Sequence, residues 1–590
     1  MSPAPASPRD LREWLETSLT SGDVLAAGSD VRSHVFHWVR AERDGPLTRQ
    51  LLAFTTDRRA SVRRALFELF DDLGFARGAW PVVADAAEAA LRDEDPRVRR
   101  IAAAVFAHVA EPGRVFEVLI ASPDPAVRIA LAEAARHELA RHPAVVERLR
   151  SDPVAAVRLL AVVAAFSEDD PAAWPALDEA ARAELEGCTG VLGVEGRPFS
   201  CTAAGHWSRA LTGLDREEDC YRWAERLTGR SEAAQIKLEG VRMSRAAMRV
   251  WRAAPARLTP ALAPLLRDDC DEVRSAALRA LTASLTASRL AADELVAVLD
   301  DPELGAPAAT ALGRAGDGRA MPYLVRLMLT GSDEPGLGEA FRELAGAGAD
   351  PREPVAAARR VLAAQPDSSE PDLPMRVLAA FGPAAAPVLP ELIARLEGAE
   401  NDTPDRTIHV LGRIGPAAAA AAPLLRQYPT VGATLALLRI TSDRTVAERY
   451  LAGRPEELRR GGISAAMLTW LVEHGGLDAR QQGQLRSAFR NPGSGQVDTA
   501  GARWLHEGPA IADELLEVLP QYLSNDLYGT RVLRVLAAMG PYARPILDRL
   551  DAFASSRHRA GMNLGDEDTE MRADETLLAA VVAARRQIAG

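Results

Sequence analysis

Cysteine and histidine are the residues with which this 590-residue chain could hold a metal. Three of its four cysteines, Cys188, Cys201 and Cys220, fall within 33 residues and bracket His206. A Cys3His set of this kind binds zinc through three thiolates and one imidazole. No C-x2-C knuckle joins any two of them, and the four would have to converge from a loop and two helices. Buried free cysteine is the commoner account. "HELARH" (His137 to His142) imitates a zincin helix, but its histidines stand at i and i+5, which turns the second ring off the shared face. His34 and His37 share a helix face without a carboxylate partner. There is no phosphate-binding glycine loop, no G-x-S-x-G elbow and no dinucleotide fingerprint. The sequence thus assigns no catalytic residue and no cofactor, and a metal only as the Cys188, Cys201, His206 and Cys220 alternative.

Binding chemistry is easier to place. In a chain only 5% aromatic, Trp207, Tyr221, Arg222, Trp223 and Trp251 gather in one region. Trp, Tyr and Arg dominate interface energetics, so these five are candidate partner contacts, against the simpler account of core packing. Beside them runs a basic series, Arg222, Arg226, Arg242, Arg245, Arg249 and Arg252. Several long turns (331–338, 363–374, 397–405, 491–496, 561–570) are mostly acidic. They form either a solvated, helix-capping edge or a docking rim for a basic partner.

The elements that position these residues follow from composition. Apolar residues make up 47% of the chain and alanine supplies much of that, which favours helix. No alternating β-branched run bounded by Asn-Gly or Asp-Gly appears. The formal net charge of −12, from 82 acidic against 70 basic residues, opposes a general nucleic-acid or anionic-membrane surface. Lys237 is the one lysine, so the arginines reflect usage rather than a recognition code. The start carries no secretory pattern, no uncharged apolar run reaches about 18 residues, and cysteines are few. The chain reads as soluble, cytoplasmic and without membrane insertion.

A repeat organises the rest. "LGRAGDGRAMPYLVRL" from Leu312 is echoed from Leu344, Leu378, Leu411 and Leu536, and the first four leucines are 32, 34 and 33 residues apart. A second signature, as in "SVRRALFELF" and "RVRRIAAAVF", places valines at Val62, Val98, Val127, Val157 and Val273. Val273 lies eight residues before Leu281, in register with the leucine series, so the two signatures mark the start and end of one helix. Each unit then reads as an Asp-rich capping turn, a helix from Val-Arg to leucine, a Gly or Gly-Pro stop with a left-handed cap, and a second apolar helix. A lone pair of short helices cannot bury both apolar faces, whereas stacked pairs share a core. On this reading Gly415-Pro416 punctuates one pair from the next, and the long acidic turns join the first helix of a unit to its second.

The D-x-x-V-R entry and L-G-x-x-G exit resemble HEAT repeats, specifically the bacterial subtype of phycobilisome lyases, over about residues 57–165 and 268–585. The resemblance implies an all-α fold, a right-handed solenoid (superhelix) of stacked antiparallel helix pairs of armadillo/HEAT type. It implies an Arg–Asp ladder through Arg63, Arg99, Arg128, Arg158 and Arg274, weakening where Gly305 follows Leu304. It also implies a concave face lined by second helices. The expected domains are a disordered tail (1–8), N-terminal repeats (9–165), irregular repeats with a Gly-rich loop at 187–198 (166–267), and C-terminal repeats (268–590). Truncation at Gly316 is expected to leave a folded N-terminal half. The function expected is a non-catalytic scaffold or adaptor that holds another macromolecule, a protein first of all, on its concave face or acidic edge. The alternative is a solenoid enzyme or nucleic-acid binder, like an alkylated-base DNA glycosylase or a bilin lyase.

Overall fold

The structure is a computed structural model describing residues 8–21, 35–39, 42–74, 79–165, 180, 202–229, 232–364, 372–398, 404–453, 462–525, 527–561 and 565–590. The tail expected over 1–8 lies outside these except for Pro8, which opens a helix. Cys188, Cys201, His34 and the Gly-rich loop 187–198 lie outside the described residues as well.

Alanine and leucine at helical spacing build helices throughout. Among the described residues the only extended pairing is an isolated bridge between Trp251 and His558. The fold is an all-α, HEAT-like solenoid in which first helices of successive pairs pack on one another. Two compact units divide the chain, residues 1–246 and 247–590. In the first unit the first helices are α1 (Ala60–Gly74), α2 (Pro96–Val109), α3 (Pro125–Ala134), α4 (Ala155–Ala165) and α5 (Ala203–Gly213). One apolar core threads this unit from Leu15 to Ala161, as sharing of faces between pairs requires.

In the second unit the first helices begin with α6 (Asp271–Thr282), α7 (Gly305–Arg314), α8 (Leu337–Gly346), α9 (Asp372–Phe381) and α10 (Asp405–Ile414). They continue with α11 (Val431–Thr441), α12 (Gly462–Glu473), α13 (Ser494–Glu507), α14 (Gly529–Met539) and α15 (Glu567–Ala589).

The Asp-rich turns do two jobs. Asp93, Asp124 and Asp152 each accept the backbone N–H two residues on, at 2.9, 2.8 and 2.8 Å; Asp124 is the N-cap of α3, while α2 is capped by Asp95, which accepts from the Arg97 N–H. The same carboxylates receive an arginine from the preceding repeat. Arg63 grips Asp93 through Nε at 2.7 Å, Arg99 reaches Asp124 at 2.6 Å, and Arg128 bonds Asp152. Arg63 and Arg99 also donate back to the carbonyls of Asp57 and Asp93, tying their own turn to the next. Arg158 bonds the Asp152 carbonyl at 2.7 Å. Arg274 bonds the Asp268 carbonyl and pairs with Asp271 in its own helix. At Gly305 the arginine is missing, and Asp301 accepts only backbone N–H groups from Glu303 and Leu304.

Two details of the repeat differ from the sequence reading. Gly415-Pro416 lies inside a pair, because the 3-10 segment Gly415–Ala421 leads from α10 into its own second helix. Gly415 takes φ 75° and ψ −141°, not a left-handed cap: proline forces an extended ψ before it, and only glycine accepts that with positive φ. The phase of the long turns also shifts. Residues 331–336 connect the second helix Met321–Leu329 to the next first helix α8, so these turns separate pairs rather than join partners.

The stretches 372–397 and 405–425 are long and apolar enough to cross a membrane by length and composition, although each carries charged residues. Each is interrupted by a Gly-Pro 3-10 segment and packs as two successive repeat elements.

The second unit also fastens its own ends together. Arg252 and Arg559 both pair with the fully buried Asp574, in the third turn of α15, at 2.7 and 3.2 Å. Glu575 accepts from Arg559 at 2.9 Å and from Ser284 at 2.6 Å. Backbone bonds from Arg252 to Arg557 and from Arg559 to Val250 complete the clasp. Residues about 300 positions apart are thereby joined. That is foreign to an open array, in which a repeat touches only its neighbours. A cut at Gly316 would remove one half of this clasp, so the modular truncation expected from sequence does not suit this unit.

Candidate functional site

The aromatic candidates are core. Trp207 and Trp251 are fully buried, and Tyr221 and Trp223 nearly so. Trp207 and Trp223 meet edge-on with ring centroids 6.0 Å apart. Arg222 alone is exposed, and it pairs with Asp219 at 2.8 Å. A contact patch must reach solvent, so these residues are corrected from partner contacts to packing. The basic series is similarly engaged: Arg242 with Glu239, Arg249 with Glu567 and Arg252 with Asp574.

Of the metal alternative, His206 and Cys220 are described and both are buried. Burial pushes the Cys220 thiol up to about 12, the reverse of a metal-ready thiolate. His206 instead faces Glu133, Nε2 to Oε1 at 3.5 Å, with Arg136 and Arg209 nearby. Burial first, then those two charges, pushes its imidazole down to about 3, while burial raises the Glu133 carboxyl. Among the described residues no cluster of three or more His, Cys, Asp or Glu could hold a metal. His142, from the "HELARH" stretch, lies against Phe116 with centroids 4.8 Å apart.

The site that the sequence reading missed lies across α8, α9, α10 and α11. Their exposed sides enclose a groove of about 740 Å³. Met375, Ala345, Ala379 and Ala380 make its apolar surface, and five arginines line it against two carboxylates, Asp372 and Asp405. Repeat geometry delivers these side chains. Arg342, Arg376 and His409 each stand two residues before a repeat leucine (Leu344, Leu378, Leu411), so stacking sets them in a row. Arg413 and Arg439 follow their leucines by two and one positions and extend the row onto α11. These helices are the first of each pair, whereas the resemblance implies a binding face lined by second helices. The signal was present in the leucine register but is visible only once first helices are known to face the groove.

Charge in the groove is unevenly compensated. Asp372 accepts from Arg376 at 2.8 Å and from Arg406 at 3.1 Å. Arg342 has Glu343 at 3.4 Å. Arg413 gives one N–H to the Ala379 carbonyl at 3.2 Å and meets no carboxylate, and Arg439 has no hydrogen bond or ion pair among the described residues. Both are exposed and open to the groove, which partly encloses Arg439. This enclosure first, and then Arg413, lowers the Arg439 guanidinium below its usual range. The same enclosure, then Arg439 and Arg413, holds the His409 imidazole below its ordinary value and so neutral near pH 7. The arrangement can neutralise an anion and cover apolar groups at one place.

No family model matches the sequence, and no curated protein matches it either. Solved structures similar in backbone course include one of Kap95p binding RanGDP, at 14% identity and TM-score 0.44, covering 99% of this chain and 88% of that one. Kap121p is another, at 11% identity and TM-score 0.36 over 99% and 74% of the two chains. Kap121p bound to the extreme C-terminus of the protein phosphatase Cdc14p matches at 12% and 0.35 over 98% and 70%. At this level of similarity neither the partners nor the binding faces of those proteins transfer to this chain.

Proposed function

We propose that the chain is a non-catalytic, cytoplasmic HEAT-type scaffold that holds a protein partner in the groove across α8–α11. The carrying observation is the groove itself. It is an open surface spanning four successive first helices, with an apolar floor and charged walls, which suits an extended macromolecular segment. A pre-formed surface of this kind lowers the ordering cost of such binding. The affiliation with phycobilisome-lyase-type repeats rests on the D-x-x-V-R and L-G-x-x-G motifs alone.

The test is photo-cross-linking in the native host from a benzoylphenylalanine placed at Ala379 in the groove or at Arg360 on a second helix. The expected result is one protein joined from position 379 and not from 360, which then binds the purified chain directly. Cross-links from 379 to nucleic acid or to a pigment, or none at all, would contradict the proposal.

A further inference from the structure

We infer that the α8–α11 groove is a docking site for an acidic, partly apolar extended segment of a partner protein, whose carboxylates are taken by Arg413 and Arg439. This inference deepens the scaffold reading and depends on it.

Charge complementarity selects the occupant. Within the ladder and the clasp, Arg63, Arg99, Arg252 and Arg559 each meet a carboxylate. Among the described residues Arg413 and Arg439 meet none, and both stand close enough to His409 to lower it. With five arginines against two carboxylates, the lining is a local cationic patch in a chain whose net charge is −12, and it is complementary to an acidic ligand. Guanidinium binds carboxylate in a forked, paired geometry, so a Glu or Asp side chain fits each.

The rest of the lining decides between a polypeptide and a nucleic acid. Among the described residues the lining offers no aromatic ring besides His409 on which bases could stack. A peptide answers each feature: its apolar side chains cover Met375, Ala379 and Ala380, and its backbone N–H groups suit Asp405. Four packed helices spaced roughly 9–10 Å apart give a track of nearly 30 Å, which about nine extended residues would fill.

The measurement is fluorescence anisotropy on the full chain with a labelled peptide of about twelve residues alternating Glu with Val or Ala, in roughly 50 mM salt. The expected result is saturable binding that weakens at least tenfold in R413Q/R439Q and weakens as salt rises, while R360Q binds like the parent. Thermal melting of both variants verifies that the fold is retained, and Arg439→Gln alone supplies a milder change in case the double variant does not fold. No saturable binding up to about 1 mM, equal affinity in the parent and in R439Q, or tighter binding of an oligothymidine of similar length would overturn the inference. If the inference fails while cross-linking from Ala379 still captures a directly binding protein, the scaffold reading stands and only the acidic character of its partner is wrong.

Discussion

Arg63 shows why a single residue type can be read from sequence here. It is 5% exposed, and the groups that satisfy it, the Asp93 carboxylate and the Asp57 carbonyl, come from two successive turns. Burial alone would raise the Asp93 carboxyl, but the Arg63 guanidinium and the Asp95 N–H hold it below the usual range. Its stabilising contribution is therefore full above the ordinary carboxylate range and lost as pH falls through the lower folded value. Asp93→Asn leaves a buried guanidinium half-satisfied and should cost about 2–3 kcal/mol, read as a lower urea midpoint for the first unit. Arg and Asp recur at fixed offsets, which made the ladder legible. Tryptophan is different: the same residue serves core and interface, so Trp207 and Trp223 gave no sign of which side they faced. His206 was noticed for the wrong reason. Its imidazole stays neutral down to about 3 in the fold. Its share of stability is thus complete above about pH 6.5 and drains as pH falls from there toward 3, by up to about 1.4 kcal/mol per pH unit. Glu133, raised by burial, works in the opposite sense, its share being lost as pH rises through its folded value. Chemical unfolding of His206→Asn at pH 5 and pH 7 should show a smaller drop between the two than the parent shows, and an identical drop would count against this assignment.

At the scale of the element, helix existence was clear from apolar spacing, and pairing phase was not. Both phases place the same leucines inside, so periodicity could not say which helix of a pair faces the groove or which turn lies within a pair. The L-G of the exit motif has a packing role beyond ending a helix. A Cβ on Gly412 would stand 2.9 Å from the Ala436 backbone, and one on Gly313 would stand 2.7 Å from the Ala340 Cβ. Glycine there lets first helices of neighbouring repeats touch backbone to side-chain stub. Gly412→Val forces α10 and α11 apart and should destabilise by about 1–3 kcal/mol. The melting temperature would fall, and peptide affinity in the groove would fall with it, since Arg413 and Arg439 sit on those two helices.

At the scale of the whole molecule, the clasp was illegible because its partners are about 300 residues apart and carry no repeat signature. Asp574 holds Arg252 and Arg559, each under 10% exposed. Asp574→Asn takes from buried Arg252 its carboxylate and leaves Arg559 with Glu575 alone, and should cost about 3–5 kcal/mol, with hydrogen exchange rising at both ends of the second unit together rather than at α15 alone. The groove carries the opposite kind of feature, an exposed surplus of arginine over carboxylate. A site kept for a ligand commonly lowers the stability of the free protein. The most direct test of this account is the melting temperature of Arg439→Gln without ligand. Removing one of two facing cations should leave it unchanged or raise it by about 1–2 °C while peptide affinity falls. A fall of more than about 3 °C would show that Arg439 holds the fold together, and would contradict a groove reserved for an acidic partner.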